Sequence, residues 1–247
     1  MTHKTKGIVL KAVKYGETSL IVTALTELFG LQTYMANAVR SSKQPGKAAI
    51  YQPCSILQME VYHNEQKNLQ RIKEAEWSPI FNYLYSDIAK NCVGLYIVEL
   101  MYNMIKQPET NADLYNFCED ALMSLDAAPA NVTANFPLYF SIQFAYFFGF
   151  RINDFPIKYN EAEVYFLDLN EGQFVLHQHD AGQYLEKEDA AIIADLLRIQ
   201  HPSELHLIRI NRLKRMKLLQ SLEIYYQIHI PDFKKLKTLE VLQSIFA

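Results

Sequence analysis

Lys6-Gly-Ile-Val-Leu-Lys-Ala-Val13 leads into Tyr15-Gly-Glu-Thr-Ser19 and then Leu20-Ile-Val-Thr-Ala-Leu-Thr26. The flanking pieces are apolar and β-branched, and the middle piece is a turn cluster, so the run reads strand, turn, strand. Working outward, Phe29-Gly30 makes the next turn and Leu31–Val39 a third strand. Residues 40–53 are a loop by composition, and Ile56–Tyr62 is a fourth strand. Asn64–Asn68 then turns into a fifth, Leu69–Ala75. Five short strands with little helix between them predict a small barrel. Closure removes exposed sheet edges, and a five-stranded OB-fold has this size.

Ser78-Pro79 ends the pattern. Apolar residues at helical spacing predict a helix over Phe81–Ile105, stopped by Pro108. Asn111 or Asp113 can cap the next, which runs to about Leu125. Phe136–Phe148 is apolar nearly all round and predicts the buried centre of a bundle. Residues 164–176 read as an isolated hairpin around Asn170-Glu-Gly172. Helices are expected again at Glu188–Ile199, from Ser203 to about Ile228, and near Lys234–Phe246. The expected fold is α+β: an OB barrel over 1–78, then a helical domain over 79–247 that carries the hairpin.

The 247 residues are 50% hydrophobic and 21% charged, a globular composition that excludes a wholly disordered chain. No apolar run reaches the about 18 residues that span a bilayer, and the N-terminus lacks a signal-peptide core. Cys54, Cys92 and Cys118 are widely spaced, which argues against a disulfide framework and fits a reducing cytoplasm. The formal net charge of -3 is unevenly spread. Residues 1–75 are net +5, residues 76–207 net -13 and residues 208–247 net +5, counting Lys/Arg against Asp/Glu. Two basic ends point either to a polyanion partner or to neutralisation of the acidic middle within the fold.

Enzyme signatures are largely missing. There is no phosphate-cradling glycine loop, no nucleophile elbow and no H-E-x-x-H, so a binding protein rather than an enzyme is expected, without a cofactor. His177 and His179, two apart in an extended segment, could face one ion, but two ligands do not close a metal site. They read better as exposed polar residues, and the three cysteines as inert core.

Nucleic-acid binding has more support. Lys11, Lys14, Arg40, Lys43, Lys47, Arg71 and Lys73 concentrate at strand ends and loops of the barrel, with Lys4 and Lys6 near them. Such cations bind phosphates regardless of sequence. Neutralising about six phosphates would cost roughly a thousandfold in affinity between about 50 and 200 mM salt. Tyr15, in a turn beside Lys14, suits stacking on an unpaired base, whereas Tyr34 and Tyr62 are expected inside the barrel.

A second basic element lies at Arg209-Ile-Asn-Arg-Leu-Lys-Arg-Met-Lys217. On one helix, steps of three bring Arg209, Arg212 and Arg215 together beside an apolar stripe, a surface fit for an acidic, hydrophobic peptide tail. The alternative is that these arginines pair with the acidic middle. Lys214 and Lys217 project elsewhere, toward DNA phosphates.

Gly7-Ile-Val-Leu-Lys11, Tyr15-Gly-Glu-Thr-Ser-Leu-Ile-Val-Thr23, Thr26-Glu-Leu-Phe-Gly30 and Ala38-Val-Arg-Ser-Ser-Lys43 together resemble the RecO family of bacterial DNA repair proteins. Gln52-Pro-Cys-Ser-Ile-Leu-Gln-Met-Glu60 is similar to that family's next strand, and a fainter likeness continues to Phe148-Gly-Phe150. The resemblance implies an OB-fold followed by a helical domain. It implies a non-enzymatic recombination mediator that binds single- and double-stranded DNA and anneals complementary strands. It further implies that RecR and single-stranded DNA-binding protein, whose acidic tail docks on the helical domain, are partners in loading recombinase. Many members carry a four-cysteine zinc module after the position of Gly149-Phe150. Arg151–Asp180 here has no cysteine, so zinc is not carried over. Two other classes stay open: an adaptor whose OB-fold binds protein and no DNA, and an enzyme whose groups converge from distant positions.

Overall fold

The computed structural model describes residues 2–41, 46–153, 165–179 and 182–245. Strands β1 (Thr2–Tyr15), β2 (Ser19–Thr26), β3 (Gly30–Ala36), β4 (Ile56–Tyr62) and β5 (Gln70–Trp77) close into a barrel in the order β1-β2-β3-β5-β4. All neighbours are antiparallel except β3 and β5, which meet in parallel at Tyr34–Gln70 and Met35–Arg71. The expected OB-type barrel is therefore present, with strand centres close to those read from the sequence.

Alternation along each strand builds the interior. Val9, Val22, Ala24, Tyr34, Leu57, Met59 and Val61 point into one core. Each such side chain removed from water contributes roughly 1.5–3 kcal/mol, before the entropy of ordering is counted. The register of β1 against β2 slips between Val9 and Lys11, so Leu10 is an extra residue. After this bulge Lys11 and Val13 point outward while Ala12 stays against the core. Tyr34 is fully buried, and burial pushes its hydroxyl up to about 12. Tyr62, expected in the core, is instead 45% exposed. It sits opposite Arg71 and Thr2, whose side of the sheet faces outward.

Helices α1 (Ile88–Met104), α2 (Ala112–Ala127), α3 (Ala130–Ala145), α4 (Lys187–Leu197), α5 (Arg212–His229) and α6 (Thr238–Ile245) follow. The described chain separates into two compact units, residues 1–86 with 98–126 and residues 87–97 with 127–247.

In the first unit, the expected helix from Phe81 does not start there. The Asp126 carboxylate accepts the backbone N–H groups of Asn82 (3.0 Å), Tyr83 (2.8 Å) and Leu84 (2.6 Å), which holds the segment in a tight irregular loop. Helix α1 begins only after Asp87, whose side chain accepts the Lys90 N–H at 3.0 Å. Gly30 has φ +60°, and a Cβ there would meet the Glu109 carbonyl oxygen, so the β2–β3 turn tolerates only glycine against that backbone.

In the second unit, α3 is the buried centre, as its all-round apolar surface requires. Tyr226 donates to the Ser141 carbonyl at 2.7 Å, and Tyr225 to the Phe150 carbonyl at 2.6 Å. Strands β6 (Phe166–Asp168) and β7 (Gln173–Val175) form the hairpin, but it is not isolated: β8 (Tyr184–Leu185) pairs with β6 as a third strand. Val164 and much of the stretch that would match a zinc module lie outside the described residues. Among the described residues no helix is long and apolar enough to cross a membrane.

Candidate nucleic-acid interface

Register fixes which barrel residues share a face. Val13 opposes Ile21, Ile21 opposes Met35, Met35 meets Arg71, and Arg71 opposes Tyr62. Residues that pair across strands project to the same side. This row therefore runs round the outside of the barrel and crosses all five strands, among them the pair β2–β3 that OB-folds use for oligonucleotides. One step along β1, Lys11 pairs with Thr23, which pairs with Thr33. At the row's edge, Tyr15 is 54% exposed and ends β1. Arg40 folds back on the β1–β2 turn, its backbone N–H donating to the Thr18 carbonyl at 2.8 Å and its guanidinium to Gly16 at 3.4 Å. Lys14, exposed at the barrel mouth, pairs with Leu20. The same turn holds one exposed acid, Glu17.

Lys11, Tyr15 and Arg71 thus project to the outside of the barrel, with Arg40 at the adjoining β1–β2 turn. Lys14 does not share that register, because its partner Leu20 belongs to the core, and it is exposed only where the strand ends. Lys43 lies outside the described residues. The other two barrel candidates leave the group. Lys47 borders a cavity of about 410 Å³ beside the outer side of β4 and β5, which it shares with Lys4, Glu60, Glu74 and Glu76. Lys73 is paired with Glu60 at 2.9 Å. Hydrogen bonding to each other holds Glu60 below and Lys73 above their usual ranges. Three nearby carboxylates lower the positive potential around Lys47 and Lys73, which makes them weaker candidates for a phosphate contact than Lys11, Arg40 and Arg71. Sequence position alone hid this, because Glu60 lies on β4, 13 positions before Lys73.

Sequence reading also missed Tyr102. Its ring, near the end of α1, receives the Lys11 ammonium at 5.3 Å and the Lys106 ammonium at 5.9 Å from its centroid. A ring face orients an ammonium through its quadrupole without cancelling the charge. The i, i+4 spacing of Tyr102 and Lys106 was the available clue.

The second basic element does not form the expected face. A turn over Pro202–Leu207 precedes α5, and Asn211 caps the helix by accepting the Lys214 N–H at 2.9 Å. Arg209 therefore precedes the helix and does not align with Arg212 and Arg215. The cause is Asn135 on α3, whose amide donates to the carbonyls of Leu205 (3.1 Å) and Ile208 (2.8 Å) and pins the chain in a bend. Arg215 donates to the Asn135 oxygen at 2.9 Å and to the Ile210 carbonyl at 3.2 Å, which makes it a structural bolt. Arg212 reaches the Gln243 carbonyl at 2.6 Å. Arg209 is exposed, with Leu207 and Leu213 exposed on either side of it in sequence.

Lys214 and Lys217, expected to meet phosphates, both converge on Asp189 at 2.7 Å. This carboxylate, 1% exposed, is neutralised by them. Burial pushes it up, but hydrogen bonds and charge from the two ammoniums prevail and hold it below the usual carboxylate range. A depressed native value means that the stabilisation is full above the unfolded carboxylate range and is lost as pH falls through the native value. Asp189→Asn is expected to cost about 2–3 kcal/mol at pH 7, less than the loss of a fully buried pair because Lys217 is 58% exposed. Urea titrations at pH 7 and near pH 3 check this: the gap between variant and parent should close at the lower pH. Equal stability at pH 7 would refute the assignment.

His177 and His179 are exposed, and no group of three or more metal-ligating side chains comes together among the described residues. Burial pushes the Cys54 and Cys118 thiols far up, as in inert core cysteines.

Comparison with known proteins agrees along the whole chain. The family described as Recombination protein O N terminal matches residues 1–81, and Recombination protein O C terminal matches residues 85–240. The chain is 32% identical over 248 residues to the DNA repair protein RecO of Phocaeicola vulgatus and 31% over 246 residues to that of Bacteroides fragilis. It is 32% identical over 248 residues to the one from Flavobacterium psychrophilum. Each alignment covers 100% of both chains.

Proposed function

Because the chain belongs to the RecO family of DNA repair proteins, we propose that it is a non-catalytic recombination mediator. In this reading the outer face of β2 and β3 holds single- and double-stranded DNA. Two strands whose phosphates are neutralised there approach each other and anneal, and recombinase is loaded together with RecR and single-stranded DNA-binding protein. The observation that carries the reading is the set of barrel cations Lys11, Lys14, Arg40 and Arg71 together with the exposed rings of Tyr15 and Tyr62. None of these four cations forms an ion pair among the described residues, whereas Lys6, Lys73, Lys214 and Lys217 do. For the acidic tail of single-stranded DNA-binding protein, Arg209 with Leu207 and Leu213 offers a charge and apolar contacts; Arg212 and Arg215 are committed internally.

The competing reading is an adaptor that takes a protein on the same face. It is favoured by the apolar row of Val13, Ile21 and Met35. Salt separates the two. Four phosphates neutralised by four cations correspond to a roughly fiftyfold loss of single-strand affinity between about 50 and 200 mM salt. Fluorescence anisotropy with a labelled 15-nucleotide strand reads this directly. A flat response would favour the adaptor.

A further inference from the structure

A second cavity, of about 490 Å³, lies within the first unit, between the β2–β3 turn, the β4–β5 loop and the chain just beyond α1. It adjoins the face described above. Thr33 lines it and pairs with Thr23, which opposes Lys11. Lys106 lines it too and shares the Tyr102 ring with Lys11.

Its lining combines three chemistries. Leu28, Leu31 and the stacked rings of Phe29 and His63, 3.9 Å apart between centroids, supply apolar and aromatic surface. Gln32 and Asn68 carry amides, which can both donate to and accept from a base edge. Lys67 and Lys106 bring positive charge suited to a phosphate, with Glu65 the one acid in the lining. The Nδ1 of His63 is sealed from solvent and makes no hydrogen bond. Burial and the neighbouring His3 lower this imidazole's affinity for a proton, so at neutral pH it is uncharged and carries one donor and one acceptor nitrogen. The β4–β5 loop is pre-set: the Gln70 side chain accepts from the Asn64 N–H at 2.9 Å and donates to the carbonyls of Asn64 and Lys67. The volume falls in the about 300–1,000 Å³ range of small-ligand sites.

We propose that this cavity receives one unpaired nucleotide of the strand that lies along β2–β3, taking its base between the ring-bearing and amide-bearing walls and its phosphate at Lys67 and Lys106. This rests on the reading of that face as a DNA interface. It also gives the protein a preference for unpaired bases, because a base held in a duplex cannot enter.

Thr110 is an exposed residue of the lining, so Thr110→Trp plugs the cavity while leaving Lys11, Lys14, Arg40 and Arg71 untouched. Anisotropy of the full chain with a 15-nucleotide thymidine strand and a 15-base-pair duplex is the test. The expected result is an about tenfold loss for the strand, the loss of one stacked base, with the duplex within about twofold. If the plugged variant binds both as the parent does, or loses both equally, the cavity proposal falls and the DNA face stands. If the parent binds neither oligonucleotide, the DNA reading itself fails and the cavity proposal with it. Should Thr110→Trp not fold by circular dichroism, Asn68→Trp in the β4–β5 loop carries the same comparison.

Discussion

Replacing Lys11, Arg40 and Arg71 together by glutamate is expected to weaken binding of a 15-nucleotide strand by a hundredfold or more in moderate salt. A unit charge about 4 Å from a phosphate in water is worth ~1 kcal/mol, and reversal exchanges that attraction for an equal repulsion. Three reversals therefore cost on the order of 6 kcal/mol unscreened. A Debye length of about 8–10 Å and mobile side chains reduce this to about 3–4 kcal/mol. Fold stability should fall by only about 1 kcal/mol, because none of the three side chains forms an ion pair among the described residues, Arg40 makes one long bond to Gly16, and the Lys11 contact with the Tyr102 ring is exposed. The control is a pair of substitutions at barrel cations that have acidic neighbours. Lys47→Gln with Lys73→Gln should stay within about twofold, since those cations already face Glu60, Glu74 and Glu76. A free-energy loss from the control about one third of that from the reversals, in proportion to the charge removed, would mean that binding responds to net charge rather than to position.

Asp126→Ala is expected to be the most destabilising single substitution considered, at about 3–4 kcal/mol. An acid at the C-terminal end of α2 is misplaced with respect to the helix dipole, so its presence there needs another cause. That cause is its grip on three successive N–H groups. Charge-assisted hydrogen bonds contribute roughly 1.5–3 kcal/mol each, but the three share one carboxylate and are not additive. Asn82 and Tyr83 are exposed, so water can serve their donors after the change, whereas fully buried Leu84 is left unsatisfied. Asp126→Asn keeps one acceptor oxygen and should recover about half of the loss. Against a total stability of about 5–15 kcal/mol for a typical domain, the shift in urea midpoint is large. A loss under about 1 kcal/mol would show that the loop over 82–84 is held by packing instead.

Both results turn on a distinction between what is local in the chain and what is not. The five strands were legible because period-two alternation and turn residues are written within a few residues of each other. The burial of α3 was legible because no polar face exists for it to turn outward. The helix expected from Phe81 fails because Asp126, more than forty positions later, competes for the N–H groups that would have started it. The arginine stripe fails likewise. Nothing within residues 209–217 reveals that Asn135 holds the carbonyls before Arg209 and takes the Arg215 guanidinium.

Sequence by itself determined the class of this protein. It specifies a β-rich basic module followed by helices, and a spacing of residues that marks the family. Tertiary structure alone decided which charges are available. Barrel closure put Arg71 opposite Tyr62, Glu60 on the neighbouring strand took Lys73, and Asp189 claimed Lys214 and Lys217. The reason is physical: charge is a property of a residue, but its neutralisation depends on distance in space, and strand register and helix packing set those distances across long stretches of chain.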